Sequence, residues 1–468
     1  MKDDTSTARV IQALRREAAQ RGPGSRLPSV RALMSEYGVG PGTVQRALAA
    51  LTREGLTRTK PGDGTFVAER PRRAAEPDFG WQAVALGERS FSVEPLAELV
   101  TTPPAGALVL STGYLAPDLQ PTAQLGPALA RAGRRPGVWE RPPVEGVEAL
   151  RRWFADDVGN GFDPHEVLIV SGGQAALVAS FRALARPGEA VLMESPTYLG
   201  AMVAARAAGL RPVPVPSDAH GVRPELLSAA FESSGARLFY CQPLYANPHG
   251  AVLAADRRGE VLTAAADAAA FVIEDDYARD LGLDGEAPPP LVADDRDGHV
   301  IYVRSLTKPT TPSLRVAAVA ARGAAYARLR AIRLVDDFFV SSPLQEAALE
   351  LVSSPAWPRH LRAVRKALRE RRDVLVDAAR DGFGATSIPH LPGGGFHLWV
   401  RLPPECDDRL IADRAYSAGL VVTPGRHWFP AEPPGPFLRL SYAGAPAAAL
   451  RSGVARLAEI IAAHTAKV

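Results

Sequence analysis

A lysine flanked by hydroxyls and followed by an arginine lies in Ser305-Leu306-Thr307-Lys308-Pro309-Thr310-Thr311-Pro312-Ser313-Leu314-Arg315. A lysine amine condenses with an aldehyde into a Schiff base, a serine hydroxyl donates to phosphate oxygens, and a guanidinium chelates them bidentately. Together these are the functions that an aldehyde cofactor carrying a phosphate requires. An ordinary surface lysine in a proline-punctuated loop has the same local sequence, so the chemistry depends on where the chain places Lys308.

The apolar run Val300-Ile301-Tyr302-Val303 precedes the lysine and reads as a strand buried on both faces of a parallel sheet. Lys308 then stands past the carboxyl end of a strand, where open α/β sheets hold their ligands. The construction recurs upstream. Val167–Val170 runs into Ser171-Gly172-Gly173-Gln174 and a helix, a glycine turn that offers backbone N–H groups to a phosphate. Ala190–Met193 leads to Glu194-Ser195-Pro196-Thr197-Tyr198, and Leu238–Cys241 to Pro243-Leu244-Tyr245-Ala246-Asn247-Pro248-His249-Gly250. Phe271–Ile273 leads to Glu274-Asp275-Asp276-Tyr277. Singly, an aromatic is more often core and acids at strand ends are common. The alternation of short strands with Ala-rich helices predicts an α/β domain on a mostly parallel sheet.

The first seventy residues have another character. Val10, Ile11, Leu14 and Ala18 mark one helix. Val30, Leu33, Met34 and Tyr37 mark a second behind Ser29 as N-cap, and Val44, Leu48 and Leu51 mark a third that opens at Gly40-Pro41. Leu56–Lys60, a Pro61-Gly62-Asp63-Gly64 turn and Thr65–Val67 then read as a hairpin. Three helices and a hairpin make a winged helix-turn-helix. Its third helix would present Thr43, Gln45 and Arg46 to a major groove, with Arg31 near a phosphate and the Gly64 wing close to a minor groove. Residues 1–73 hold 14 Lys and Arg against 7 Asp and Glu, a net +7 that leaves the remaining chain at −4. A polyanion partner is expected for this basic module alone.

At 468 residues, 46% hydrophobic and 22% charged, the chain is long enough for two or three globular domains. Cys241 and Cys406 give no disulfide framework, Met1-Lys2-Asp3-Asp4 is no signal peptide, and no apolar run reaches membrane-spanning length. A cytoplasmic protein without a metal site is expected.

Leu27-Pro28-Ser29-Val30-Arg31, Gly42-Thr43-Val44, Leu51–Leu56 and Gly62–Val67 resemble the DNA-binding domain of GntR-family regulators. That family usually has Ser-Arg where this chain has Gly40-Pro41, which removes one contacting arginine. From about Leu108 to the C-terminus the motifs resemble fold-type I pyridoxal-phosphate (PLP) enzymes, the aspartate aminotransferase-like superfamily. The resemblance implies that Lys308 binds the aldehyde and that Gly173, Gln174, Ser305 and Arg315 surround the phosphate. It implies that Tyr198 stacks on the ring, that Asn247 donates to the phenolic oxygen with Tyr277 nearby, and that Asp275, with Asp276 as runner-up, faces the ring nitrogen. Arg439 matches the arginine that clamps a substrate carboxylate. Gln345, His360-Leu361-Arg362 and Arg369–Asp373 are similar to the family's long helix, and Gly393–Val400 with Leu438–Tyr442 to its small C-terminal α+β domain. Near Pro142–Gly146 the family often has a tyrosine that reaches the neighbouring subunit's phosphate; here Trp139 and Arg141 stand nearby.

A GntR-type module (1–70), a connector (71–100, with Arg72 and Arg73 either extending the DNA footprint or solvated) and an aminotransferase-like domain (101–468) make the arrangement of MocR-type transcriptional regulators. The resemblance implies a PLP-binding regulator of operator DNA, a homodimer whose large domain senses PLP or an amine that condenses with it. The alternative is a working aminotransferase that carries an accessory DNA-binding module.

Overall fold

The computed structural model describes residues 2–69, 78–87, 92–158 and 162–466. Arg72 and Arg73 lie outside the described residues. Two compact units divide the chain, Met1–Glu88 and Arg89–Val468.

In the first unit, helices α1 (Lys2–Gln20), α2 (Val30–Tyr37) and α3 (Pro41–Arg53) precede a hairpin of β1 (Thr57–Lys60) and β2 (Gly64–Val67). Ser29 caps α2 by accepting from Ala32 N at 3.2 Å, and Gly38 ends it at φ 62, a left-handed value that glycine adopts without strain. The following turn is short because Pro41, at the first position of α3, already has a helical φ. Val10, Leu14, Leu33, Val44, Ala47 and Leu51 are fully buried where the three helices meet. Each such Leu or Val contributes roughly 1.5–3 kcal/mol by burial, a large share of what so small a unit can muster. In the hairpin Thr57 pairs with Val67 and Lys60 with Gly64. Gly64 has φ 123, and a side chain there would press on the Arg26 guanidinium at 3.0 Å.

The first unit ends with α4 (Gly80–Leu86), and the second opens with α5 (Glu94–Val100). The sequence pattern predicts regular structure here only from Pro95 onward. It gives no sign of α4 because the apolar residues of that helix, Trp81, Val84 and Leu86, are exposed rather than turned to a core.

The second unit is built on strands β4 (Val167–Val170), β5 (Ala190–Ser195), β6 (Arg211–Asp218), β7 (Gly221–Val222), β8 (Leu238–Cys241), β9 (Phe271–Asp276), β10 (Val300–Ser305) and β11 (Ala317–Ala320), after a two-residue β3 (Leu108–Val109). They form one sheet in the order β4-β11-β10-β9-β8-β5-β6-β7. The run β10-β9-β8-β5-β6 is parallel, while β11 lies antiparallel to both neighbours. The central strands are buried on both faces, as parallel sheets covered by helices must be. Helices α6 (Thr122–Ala132), α7 (Glu148–Val158), α8 (Gly173–Leu184), α9 (Leu199–Ala207), α10 (Pro224–Ser234), α11 (Ala255–Asp267), α12 (Gly323–Asp336) and α13 (Ser342–Val352) accompany the sheet, and α14 (Ala356–Phe383) leads to the C-terminal part. There β12 (His397–Arg401), β14 (Thr423–Pro424) and β15 (Phe437–Ser441) form a small sheet, and β13 (Leu420–Val421) pairs with β3. α15 (Asp408–Ser417) and α16 (Ala447–Thr465) pack with them, α16 along α14. Among the described residues no helix is long and apolar enough to cross a membrane.

Candidate functional site

Registers bring the strand ends together. Val303 of β10 sits beside Asp275 of β9, and Ser305 pairs with Ala317 of β11. The residues between them form a loop closed by Leu306 N donating to Val316 O at 3.0 Å. The loop delivers Lys308 and Arg315 to a pocket whose lining includes Gly173, Gln174, Tyr198, Asn247, Asp275, Tyr277, Ser305 and Arg439. The sequence-derived cofactor and substrate residues thus converge on one cavity. Asp276 does not line it: its carboxylate accepts from Tyr302 at 2.8 Å and pairs with Arg279.

Lys308 Nζ donates to Gly113 O at 2.9 Å and lies 4.2 Å from the centroid of the Tyr114 ring. Burial, then the nearby Arg439, lower its pKa to about 8, with Asp275 opposing and Arg315 reinforcing the shift. An amine so tuned keeps a substantial unprotonated fraction near neutral pH, the form that attacks an aldehyde.

Gly172 precedes α8, whose first turn aims its N–H groups toward the pocket end that Ser305 and Arg315 also line. A side chain at Gly172 would collide with the Arg315 guanidinium, which donates to Ser171 O at 2.9 Å. Arg315 itself sits at φ 50, a left-handed conformation unusual for a non-glycine residue. Gln174 donates to Gly200 O at 2.9 Å and accepts from the Tyr198 hydroxyl at 3.2 Å, tying the cradle to the aromatic wall.

Asp275 is 5% exposed. Its Oδ2 accepts from both Tyr240 (2.7 Å) and Gln242 (2.8 Å). Burial raises the carboxyl to about 6, and the two donors restrain that rise. Behind them Glu194 accepts from Gln242 N at 2.8 Å, with its carboxyl pushed by burial to about 7. Asn247 Oδ1 accepts from Arg439 at 3.2 Å and from Trp428 at 3.3 Å, which orients its amide nitrogen as the group left to donate. Tyr277 lines the pocket, but its hydroxyl proton is committed to Tyr245 O at 2.7 Å.

Arg439 is 2% exposed, donates to Ser111 O at 2.5 Å and lies 4.5 Å from the Trp428 ring. Its Nε has no acceptor, and burial lowers its pKa to about 10. His397 Nε2 lies 3.4 Å from Arg439 Nη1, while His397 Nδ1 is buried without a partner.

Among the described residues no carboxylate is hydrogen-bonded to Lys308, Arg315 or Arg439, and Asp275 acts on Lys308 through its charge alone. Three cations that share one pocket with a single carboxylate, Asp275, suit a ligand that brings its own anions, a phosphate and a carboxylate. The donor set therefore fits PLP: amine, phosphate cradle, aromatic wall, amide donor and buried acid each have an occupant. Leu96, Leu99 and Val100 of α5 and Leu177 of α8 add apolar lining.

Tyr240, Gln242, His397, Tyr114 and the α5 leucines line or brace the pocket, and the sequence pattern does not single them out. One signal is available, a histidine inside the apolar run Phe396-His397-Leu398-Trp399-Val400. Partners such as Gln242 are set by strand register and leave no local mark.

In the first unit Gln45 and Arg46 are exposed on α3 and Arg31 on α2, and Gly64 stands in the hairpin. Thr43 departs from the expectation of an exposed face. It is 6% exposed, because in the first turn of α3 it lies one residue before the core Val44, and Arg46 approaches its hydroxyl at 3.4 Å.

Residues 110–457 match the family described as aminotransferase class I and II, and residues 7–67 match the gntR family of bacterial regulatory proteins. Two Bacillus subtilis proteins, both described as uncharacterized HTH-type transcriptional regulators, are similar over nearly the whole chain. YisV is 30% identical across 93% of this chain and 91% of its own length, and YdfD 28% across 94% and 92%. Among solved structures, LysN, an α-aminoadipate aminotransferase from Thermus thermophilus complexed with N-(5'-phosphopyridoxyl)-L-leucine, superposes with a TM-score of 0.73 at 28% identity. That likeness covers 81% of this chain and 99% of LysN.

Proposed function

Since the chain belongs to the aminotransferase class I and II family and is headed by a gntR-family regulatory domain, it is a DNA-binding regulator with a PLP-binding large domain, and we propose that this domain senses PLP or an amine that condenses with it. The observation that carries the reading is the set of pocket cations, Lys308, Arg315 and Arg439, which outnumber the single carboxylate Asp275 beside them, in a chain whose other unit exposes Gln45 and Arg46 on its third helix.

Bound PLP supplies an electrophilic aldehyde on an electron-withdrawing ring. The chain's own residues do the rest. Lys308 offers an amine with a lowered pKa as the nucleophile. Ser305, Gly173, Gln174 and Arg315 hold the phosphate end. Asp275, kept ionised by Tyr240 and Gln242, holds a proton on the ring nitrogen. Asn247 donates to the phenolic oxygen, Tyr198 walls the ring, and Tyr277 braces the Tyr245 backbone. Arg439 takes the carboxylate of an amino compound. The functional division is 1–70 for DNA, 71–100 for the connector and 101–468 for sensing and dimerisation. Arg31 is assigned to a DNA phosphate, Gln45 and Arg46 to the major groove, and the Gly64 wing to the minor groove.

The competing reading, an aminotransferase with an accessory module, draws on the same Lys308, Asp275 and Arg439. Promoter binding by the full chain, measured with and without PLP and amino acids alongside turnover with a keto acid, separates them. Binding that shifts with PLP or an amine, at negligible turnover, is expected. A protein that ignores its promoter yet turns over many times per minute is the enzyme instead.

A further inference from the structure

The charged side chains lining the pocket are Asp275, Lys308, Arg315 and Arg439. On the cofactor reading, on which this inference rests, the first three serve PLP and the fourth serves a carboxylate. No charged lining residue remains for the far end of an effector. Beside the polar Tyr114, Gln242, Thr307 and His397, what remains is apolar, and most of it comes from one short helix: Leu96, Leu99 and Val100 of α5 line the cavity. Their spacing of three and four residues puts them on one face of the helix.

That helix occupies a particular place in the chain, between the region that matches the gntR family (7–67) and the region that matches the aminotransferases (110–457). It is also weakly held. α5 has seven residues, no side-chain N-cap and no fully buried residue, and Val100 is 69% exposed. Val93, Leu96 and Leu99 rest partly on the core that includes α9. A helix this short is marginal alone and persists through what its apolar face touches. The approach of Glu98 to His427 at 3.8 Å holds it weakly, because burial lowers the His427 pKa and favours the uncharged ring.

We propose that the effector is an amino acid with an apolar side chain, read by Leu96, Leu99 and Val100, and that its contact with α5 is what the connector transmits to the DNA-binding unit. An occupant seated on this face adds contacts to a helix that has few, and so shifts α5 toward its ordered state. Because α5 is continuous with the chain leading to the winged helix, a change in its order alters how that chain is held.

The test uses the full chain freed of PLP, with N-(5'-phosphopyridoxyl)-L-leucine and the matching L-aspartate adduct as probes. The leucine adduct should bind at least about ten-fold more tightly, the cost of seating a carboxylate against an apolar wall. It alone should slow hydrogen exchange across Glu94–Val100 and change affinity for the promoter fragment. Val100→Asp, at a position too exposed to threaten folding, should erase most of that preference, whereas Val100→Leu should keep it. Equal affinity for the two adducts overturns the proposal, as does tight leucine-adduct binding with unchanged exchange in α5 and unchanged promoter affinity. If neither adduct nor PLP binds, the cofactor reading fails as well; if PLP binds and the adducts are indistinguishable, only the effector class and relay fail.

Discussion

Asp275 shows how a cofactor site is tuned from behind. Its carboxyl sits near 6 although Tyr240 and Gln242 both donate to Oδ2. A hydrogen bond to a charged group is worth about 1.5–3 kcal/mol, or roughly one to two pH units. Holding the ring nitrogen requires the carboxylate, so affinity for PLP is lost as pH falls through about 6. Gln242→Leu should move that acid limb upward by about one unit or more, read from PLP titrations that span the mildly acidic to mildly alkaline range. Lys308 sets the other side. The rate at which PLP-free protein develops visible absorbance should climb with pH through about 8, where the amine loses its proton, and then level off. Lys308→Ala should show no borohydride-stable attachment of the cofactor while its circular dichroism stays that of the parent. The meeting of Lys308, Asn247 and Asp275 was legible in the sequence because each lies at or just past the end of a strand within a recognisable run. Gln242 and His397 act across the sheet, and nothing in their flanking residues names their partners.

At the scale of elements, the winged helix was legible almost residue by residue, since Ser29, Gly38, Pro41 and the Gly62-Asp63-Gly64 turn are local devices. Two-residue strands such as β3 and β13, and the reversed β11, carry no such signals; only long-range pairing defines them. Helices α2 and α3 support a graded prediction. Arg31→Ala should weaken binding to promoter and scrambled DNA alike and flatten the salt slope by about one unit. Arg46→Ala should cost roughly 1–3 kcal/mol on the promoter alone, both read from salt-titrated binding curves. Thr43, being buried, should act through stability instead. In the same core Leu51→Ala should destabilise the first unit by about 2–5 kcal/mol, measurable as an earlier denaturant midpoint for that unit's transition.

The whole molecule is expected to work as a pair. Leu334 and Phe338 are exposed and line one hollow with Pro142 and Pro143 in the segment preceding Gly146. Apolar surface of this kind marks association, and two DNA-binding units joined by a two-fold axis would read paired half-sites. Sedimentation of the PLP-loaded chain at micromolar concentration should give a dimer, and a fragment with one half-site should bind more weakly than a fragment with two. The sequence indicated both units but not the spacing of their targets, which is fixed by the assembly and not by any segment of the chain.

The pocket draws its lining from Leu96 to Arg439, whereas the winged helix is complete by Glu69. A ribosome adding roughly 5–20 residues per second emits the DNA-binding unit about 20–70 s before the arginine that completes the pocket exists. For that interval each new chain holds a finished winged helix and an unfinished pocket. A cell that raises production of this chain therefore also raises the number of molecules in that state at any moment.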